Sequence, residues 1–562
     1  MLRRIITIAL LAAIAYAALQ LWQRRDAVRE VVREVTDGMV PLWPEPDAPD
    51  GAEPGGPPPG LVAEPPPPPG TALLVELTEP PAGRYAEADF AEADRYFARL
   101  VASVPGLRYD PALAHAAREL AAFHAVEGQL APDAVLAFFL DAGGAPEWGV
   151  EQMMRVTTAS GDEPVLSQLA RVAESLTPGA PAPRVGVGEG LRFGRPATRH
   201  IAVLVSRGDL RLDPVPRRVR GGQTLTLNGS VPAGTERLGL LVAAADQVFI
   251  EVPAQLSGTA FRATLDVPRV PGPMLVELIG ESTAGPRPLA QLDLRVDVEL
   301  PESLETAWLP DESHVSTVAD AEAFVAELIG RDRAAAGLSP VGRDPELDAL
   351  ARAHSEDMAL HHFFAHVSPR TGSVTDRLRA RGYRSLMHAE NIARNGTLYD
   401  AQAGLMRSLG HRRNILASDA TRVGVGIAET GRDGAHQWVV TQVFARPSPV
   451  IDPGVARGEV VRRLDQARSE AGLPPLRLDA ALSDAAEAEA GHPSPTPRSV
   501  LDRASRHLRR GGFASIATVP ELSRLEVPAD FLESRYRKLG IAVRQDASRE
   551  GADIVVVMLV GG

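Results

Sequence analysis

One arrangement recurs three times in this chain and restricts its fold more than any other feature. An aspartate opens a helix at Asp110-Pro111-Ala112-Leu113, at Asp344-Pro345-Glu346-Leu347 and, without the proline, at Asp479-Ala480-Ala481-Leu482. Aspartate satisfies free amides at a helix start, and proline suits the first turn. Each unit then closes with apolar runs punctuated by glycine: RVGVGEG and HIAVLV (184–205), RVGVGIAE and QWVVTQVF (422–444), KLGIAV and DIVVVML (538–559). Strands this apolar need helices against them to leave water, so the pattern predicts three copies of one α/β unit. No helix start follows the VGVG runs, so they read as strands and not as phosphate loops.

Between the first two units the period changes. TLTLNGSV, LGLLVA, QVFIEV, FRATLDV, PMLVELIG and LDLRVDVEL are short alternating runs separated by Gly, Pro, Asn or Asp. Half-buried strands at this spacing predict an all-β immunoglobulin-like sandwich acting as a spacer or adhesive module. At the other end, Arg3 and Arg4 precede an apolar run from Ile5 to Trp22. That is near the lower limit for spanning a bilayer, and Ala15-Tyr16-Ala17 resembles a cleavage site. Residues 1–25 are therefore expected to be a signal anchor or signal peptide, with an anchor favoured because the apolar run continues past that site. A Pro/Gly-rich linker, 26–83, would follow as a semi-rigid stalk. Both readings place the remainder outside the cytoplasm, in the periplasm or at the cell surface. A net charge of −13 argues against nucleic acid, and the absence of cysteine excludes disulfides and thiolate chemistry.

Most chemistry-bearing side chains fall between His354 and Phe444. His366 stands in HHFFAHVSP, Glu390 in HAENIA and His411 in SLGHRRNIL. Imidazoles and a carboxylate spread over separate elements are what a polar pocket needs. A helix capped at Thr317 carries Phe324, Val325, Leu328 and Ile329 at helical spacing. The next carries Leu347, Leu350, Ala351, His354 and Met358 inward, where His354 reads as a satisfied core histidine. His362 and His366 have a zinc-pair spacing, but there is no HExxH, and Ser368-Pro369 argues that the helix has ended. In their order these motifs resemble the CAP superfamily (cysteine-rich secretory proteins, antigen 5 and pathogenesis-related proteins), in its cysteine-poor bacterial branch, over Ala319 to Pro447.

That resemblance implies an α-β-α sandwich with a cleft lined by two histidines and two acidic residues, here His366, Asp376, Glu390 and His411. Asp376 is a methylene shorter than the usual glutamate. The set would suit Zn²⁺ or another divalent metal on His366 and His411, and without metal its carboxylates would raise the imidazole pKa values. The resemblance also implies binding of a lipid, a small molecule or an envelope protein. The alternatives are a metal-assisted hydrolase of peptides or envelope polymers, with Glu390 as general base beside His366 and His411, and a purely structural stalk. Asn391 is expected to tie a loop to backbone groups. In the last unit HPSPTPRSVLDR parallels HVSPRTGSVTDR, placing His492 and Asp502 opposite His366 and Asp376. In the first, GVEQMM places Glu151 opposite Glu390. Neither assembles the full set. The fold class expected is multidomain α/β: a degenerate CAP-like domain (84–210), the β-sandwich (211–302), a CAP domain with an intact cleft (315–448) and a second degenerate copy (455–562).

Overall fold

The computed structural model describes residues 39–40 and 70–562, apart from 87–91, 147–148, 177–181, 195, 245–248, 309–311, 433–434, 449, 493, 509–510 and 546–553. The three aspartates cap helices as their sequences require. Asp110, Asp344 and Asp479 accept the amides of Leu113, Leu347 and Leu482 at the starts of helices Pro111–Glu127, Pro345–His361 and Ala480–Ala490. Each helix lies along an antiparallel hairpin: Arg184–Arg192 with Thr198–Ser206, Arg422–Arg432 with Ala435–Pro447, and Lys538–Gln545 with Ile554–Gly561. The glycines permit this contact. A Cβ on Gly186, Gly424 or Gly540 would lie 2.1, 2.1 or 2.3 Å from the carbonyl carbon of Leu113, Leu347 or Leu482.

The three sheets share one strand order. In the centre it runs Gly342–Arg343, Arg422–Arg432, Ala435–Pro447, Ser385–Asn395; in the last unit Arg477–Leu478, Lys538–Gln545, Ile554–Gly561, Gly512–Val519. The first unit repeats it as Arg108–Tyr109, Arg184–Arg192, Thr198–Ser206, Glu151–Thr157, and adds Met39–Val40 at the edge. Further helices cover the opposite sheet faces. Val318–Ala335 and Leu398–Arg407 bury Phe324, Val325, Ile329, Leu398 and Leu405 against Val423, Val425 and Val440. In the last unit Pro453–Glu470 buries Val460 and Leu464 in the same way. Two buried arginines brace these layers alike. Arg333 Nε donates to the Ser339 carbonyl and Nη1 to that of Ile415; Arg468 Nε donates to Pro474 and Nη1 to Phe531.

Between the first and central units, a five-stranded and a four-stranded sheet enclose a single core containing Leu227, Leu240, Phe261, Val276, Leu278 and Leu292. Strand Ala260–Asp266 shows the origin of this layering: its side chains alternate strictly between core and solvent. The stretch expected as linker up to residue 83 differs from expectation at its end. Ala72–Glu76 is a strand paired antiparallel with Ser303–Ala307, burying Leu73 and Val75 in the first unit's core. The expected anchor or signal at 1–25 lies outside the described residues; among those described, no helix is long and apolar enough to cross a membrane.

Candidate functional site

Five side chains from five separate segments meet beside the edge strand of the central sheet. His354 comes from helix Pro345–His361, and His366 from the loop after it. Arg377 comes from the short helix Val374–Ala380, Glu390 from the middle of strand Ser385–Asn395 and His411 from helix Leu409–Ile415. The helix carrying His354 ends at His361, and His362 adopts a left-handed cap (φ 54°), so His362 and His366 do not share a helix face. Ser408 caps the helix of His411. Asn391 ties that helix to the sheet: its Nδ2 donates to the His411 carbonyl at 3.2 Å, and its Oδ1 accepts from Asn414 at 2.9 Å.

Glu390 is the hub. Its side chain is 2 % exposed, yet it is surrounded by hydrogen-bonding and charged partners. Arg377 Nη2 bonds one oxygen, His366 Nδ1 lies 3.1 Å from the other, and His354 Nε2 lies 3.9 Å from that same oxygen. Burial opposes ionisation, but the hydrogen bond from His366 and the charges of Arg377 and His354 outweigh it, holding the carboxyl below its usual range. A carboxylate only accepts, so Nδ1 of His366 is the donor and its Nε2 is left to the cleft. The rings of His366 and His411 stack with centroids 6.2 Å apart. The imidazoles were expected to be raised by their carboxylates. Instead, burial and the neighbouring His366 push His411 down to about 3, and burial lowers His354 despite Glu390. Desolvation wins because the one nearby carboxylate is already neutralised by Arg377.

Asp376 is not drawn into this group. It closes a capping box with Ser373, accepting from its amide at 3.0 Å and its hydroxyl at 2.7 Å, and pairs with Arg379 at an exposed position. A short carboxylate at the third helical position finds its partners locally. The adjacent Arg377 reaches inward in its place, a role the sequence reading missed. Its signal was present, because both HVSPRTGSVTDR and HPSPTPRSVLDR end in arginine. In the last unit Arg503 Nε pairs with buried Glu489 at 3.1 Å. Glu489 stands ten residues after its aspartate cap, as His354 does.

Among the flanking candidates, His492 and Asp502 are exposed. The match of Glu151 to Glu390 slips by one residue. Glu390 lies opposite Val443, itself opposite Gly424, whereas Gly186 faces Leu204 and through it Gln152. A one-residue shift changes the sheet face. Glu151 is exposed and pairs with Arg207 at 3.0 Å.

Two imidazoles and a carboxylate are zinc donors in principle. Here the carboxylate is held by a guanidinium, whose charge would oppose a divalent ion. Among the described residues, no group of three or more His, Asp or Glu side chains is arranged to hold a metal. As placed, the residues do not fit one.

Residues 327–444 match the family model described as CAP, the cysteine-rich secretory protein family. The chain is 37% identical over 125 residues to the uncharacterized protein YkwD of Bacillus subtilis, covering 22% of this chain and 49% of that one. It is 33% identical over 127 residues to the uncharacterized membrane protein YlbC of the same organism, covering 22% and 37%. The chain thus spans about half or less of the length of these relatives. Solved structures with similarity include an extracellular protein containing an SCP domain from Bacillus anthracis (19% identity, TM-score 0.21, 40% of this chain and 78% of that one). An outer surface protein of Borrelia burgdorferi is also similar (13%, TM-score 0.21, 24% and 96%). The motif order and the matched span agree: residues 327–444 of this chain match the CAP, cysteine-rich secretory protein, family, and bacterial proteins are among its relatives.

Proposed function

We propose that this chain is an extracytoplasmic CAP-domain protein of a bacterial envelope that binds a partner through the cleft of its central domain and does not turn it over. The observation carrying this reading is the engagement of Glu390. A general base must be free to take a proton from water or substrate. Glu390 is instead held by Arg377 and His366 and kept ionised, as suits a rigid anchor for His366. What the cleft offers a ligand is imidazole edges: Nε2 of His366, the ring nitrogen not engaged by Glu390, beside a His411 kept neutral by burial. Such a surface suits a neutral partner with hydroxyl or amide donors, whether lipid, small molecule or protein segment.

The flanking units read as degenerate copies in this proposal. The shared strand order, the glycine–helix contacts and the paired Arg333 and Arg468 support common descent, while Glu390 is replaced in register by Gln152 and Ala514. The two-sheet module reads as an immunoglobulin-like spacer. The apolar N-terminal run and proline-rich stretch support an anchored, extracytoplasmic placement. The test is native mass spectrometry of the full chain extracted from envelope membranes, beside His366→Ala/His411→Ala. A small-molecule or peptide adduct present in the parent and lost in the variant is expected. Hydrolysis of peptide, ester or glycan substrates that falls by orders of magnitude in Glu390→Gln would overturn the reading in favour of an enzyme.

A further inference from the structure

The face of the central domain that carries both cleft histidines is also the face on which the two-sheet module sits. Strands Gly272–Ser282 and Gly285–Val296 form a long hairpin whose turn reaches the loop of His366. The Ala284 carbonyl accepts the Val367 amide at 3.0 Å. Gly285 lies so close that a Cβ there would be 2.9 Å from Cβ of His366. Further along the first strand, the Glu277 carboxylate accepts the Gly410 amide at 2.8 Å, facing Ser408, Leu409 and Arg412 at the start of the His411 helix. Leu409 packs into an apolar seam with Leu241, Ala243, Phe249 and Ile279. Gln291 Nε2 donates to the Arg407 carbonyl at 2.7 Å, and Arg413 pairs with Glu251. The side chain of His366 retains 16 % exposure.

We propose that the two-sheet module, through its hairpin Gly272–Val296, is a cover for the cleft, supplied by the chain itself, and that ligand reaches His366 and His411 when this module lifts as a body. The seam combines one apolar cluster with polar contacts around it, the mixed kind of interface that opens without unfolding either side. Closure is a matter of contacts within the chain and goes beyond the binding proposal, because it holds whether the cleft binds or hydrolyses.

The chain has no cysteine of its own, so a pair introduced as Ala284→Cys/Val367→Cys can lock the turn without competition. A backbone hydrogen bond holds the two positions side by side, as a disulfide between them requires. The readout is acylation by diethyl pyrocarbonate, followed at each histidine by peptide mass spectrometry, with exposed His362 and His492 as references. In the parent, His366 should react roughly tenfold more slowly than His362; oxidation of the pair should slow it about tenfold further, and reduction should restore it. Glu277→Lys, which sets a cation against Arg412, should bring His366 toward the rate of His362; where that change unsettles the module, the cysteine pair decides alone. Failure of the disulfide to form, His366 reacting as fast as His362 in the parent, or equal rates in oxidised and reduced forms would each overturn the proposal.

Discussion

Replacing Arg377 with methionine tests the electrostatic core of the site. Arg377 and Glu390 are 6 % and 2 % exposed, so their pairing is little screened by solvent. Removing one partner of a buried pair strands the other charge, at a typical cost of 3–5 kcal/mol. His366 at 3.1 Å and His354 at 3.9 Å remain to share the carboxylate, which sets the expectation at the lower end, about 3 kcal/mol. The pH dependence follows from the sign of the shift. Glu390 is held below its unfolded value, so its stabilisation is present above the usual carboxylate range and is lost as pH falls through the folded value. The gap between parent and Arg377→Met should therefore be widest near neutrality and narrow in acid, where the stranded carboxylate takes up a proton. Urea unfolding is followed by fluorescence of Trp438, buried in this domain, in a background where Trp22, Trp43, Trp148 and Trp308 are phenylalanine. Arg377→Met/Glu390→Gln should recover part of the loss, giving a coupling of about 1–3 kcal/mol. A cost below about 1 kcal/mol, typical of surface pairs, would refute the reasoning.

Three further outcomes are expected. Gly426→Ala, whose Cβ would fall 1.8 Å from the Arg352 nitrogen, should cost about 3 kcal/mol or prevent folding, whereas Gly330→Ala, with open space on a helix, should stabilise by about 0.5–1 kcal/mol, both read by thermal melting. Burial, then the charge of Asp133, raises Asp400 from 3.8 to about 6, so that contact loses stability as pH rises from the ordinary carboxyl range through about 6; Asp400→Asn should raise the melting temperature at pH ~7.5 by relieving at most about 3 kcal/mol and change it little at pH ~4.5. Zinc should leave melting of the parent and of His366→Ala/His411→Ala alike; a zinc-dependent rise confined to the parent would show Arg377 yielding Glu390 to a metal.

The layered architecture was legible because it is written in short-range rules. Aspartate caps, proline in the first turn and alternation in the strands each dictate local geometry with few competing outcomes, and the glycine runs mark where helix backbone meets sheet. The site was legible only as far as residue type and motif order reach. His366, Glu390 and His411 are brought together, but whether Asp376 or Arg377 faces inward turns on one residue of helix phase, about 100° of rotation. The same single-residue limit displaced Glu151 from Gln152, since strand register reverses the face at every step. No local pattern announced that strands from another module would lie across the cleft. Those contacts join residues far apart in the chain, Ala284 with Val367 and Glu277 with Gly410.

The last unit helps to separate what the fold requires from what the cleft requires. There the acid has moved from the strand to the helix: Ala514 occupies the register position of Glu390, while Glu489, at the helical position of His354, receives Arg503. Glu489 also accepts the Thr496 amide at 2.9 Å and the Ser499 hydroxyl at 2.7 Å, so the acid fastens the loop and short helix that follow. An arginine–carboxylate pair is thus present in both units although its acid comes from a different element in each. A buried charge must be paired wherever it sits, which explains why arginine and acid are retained together. Among the described residues, His366 places one nitrogen on Glu390 and the other toward the cleft, and His411 has a buried Nδ1 with no hydrogen-bond partner. A buried, unsatisfied ring nitrogen costs stability, and on the binding proposal a ligand reaching His411 would offset that cost, while Arg377 and Glu390 fix the neighbouring His366.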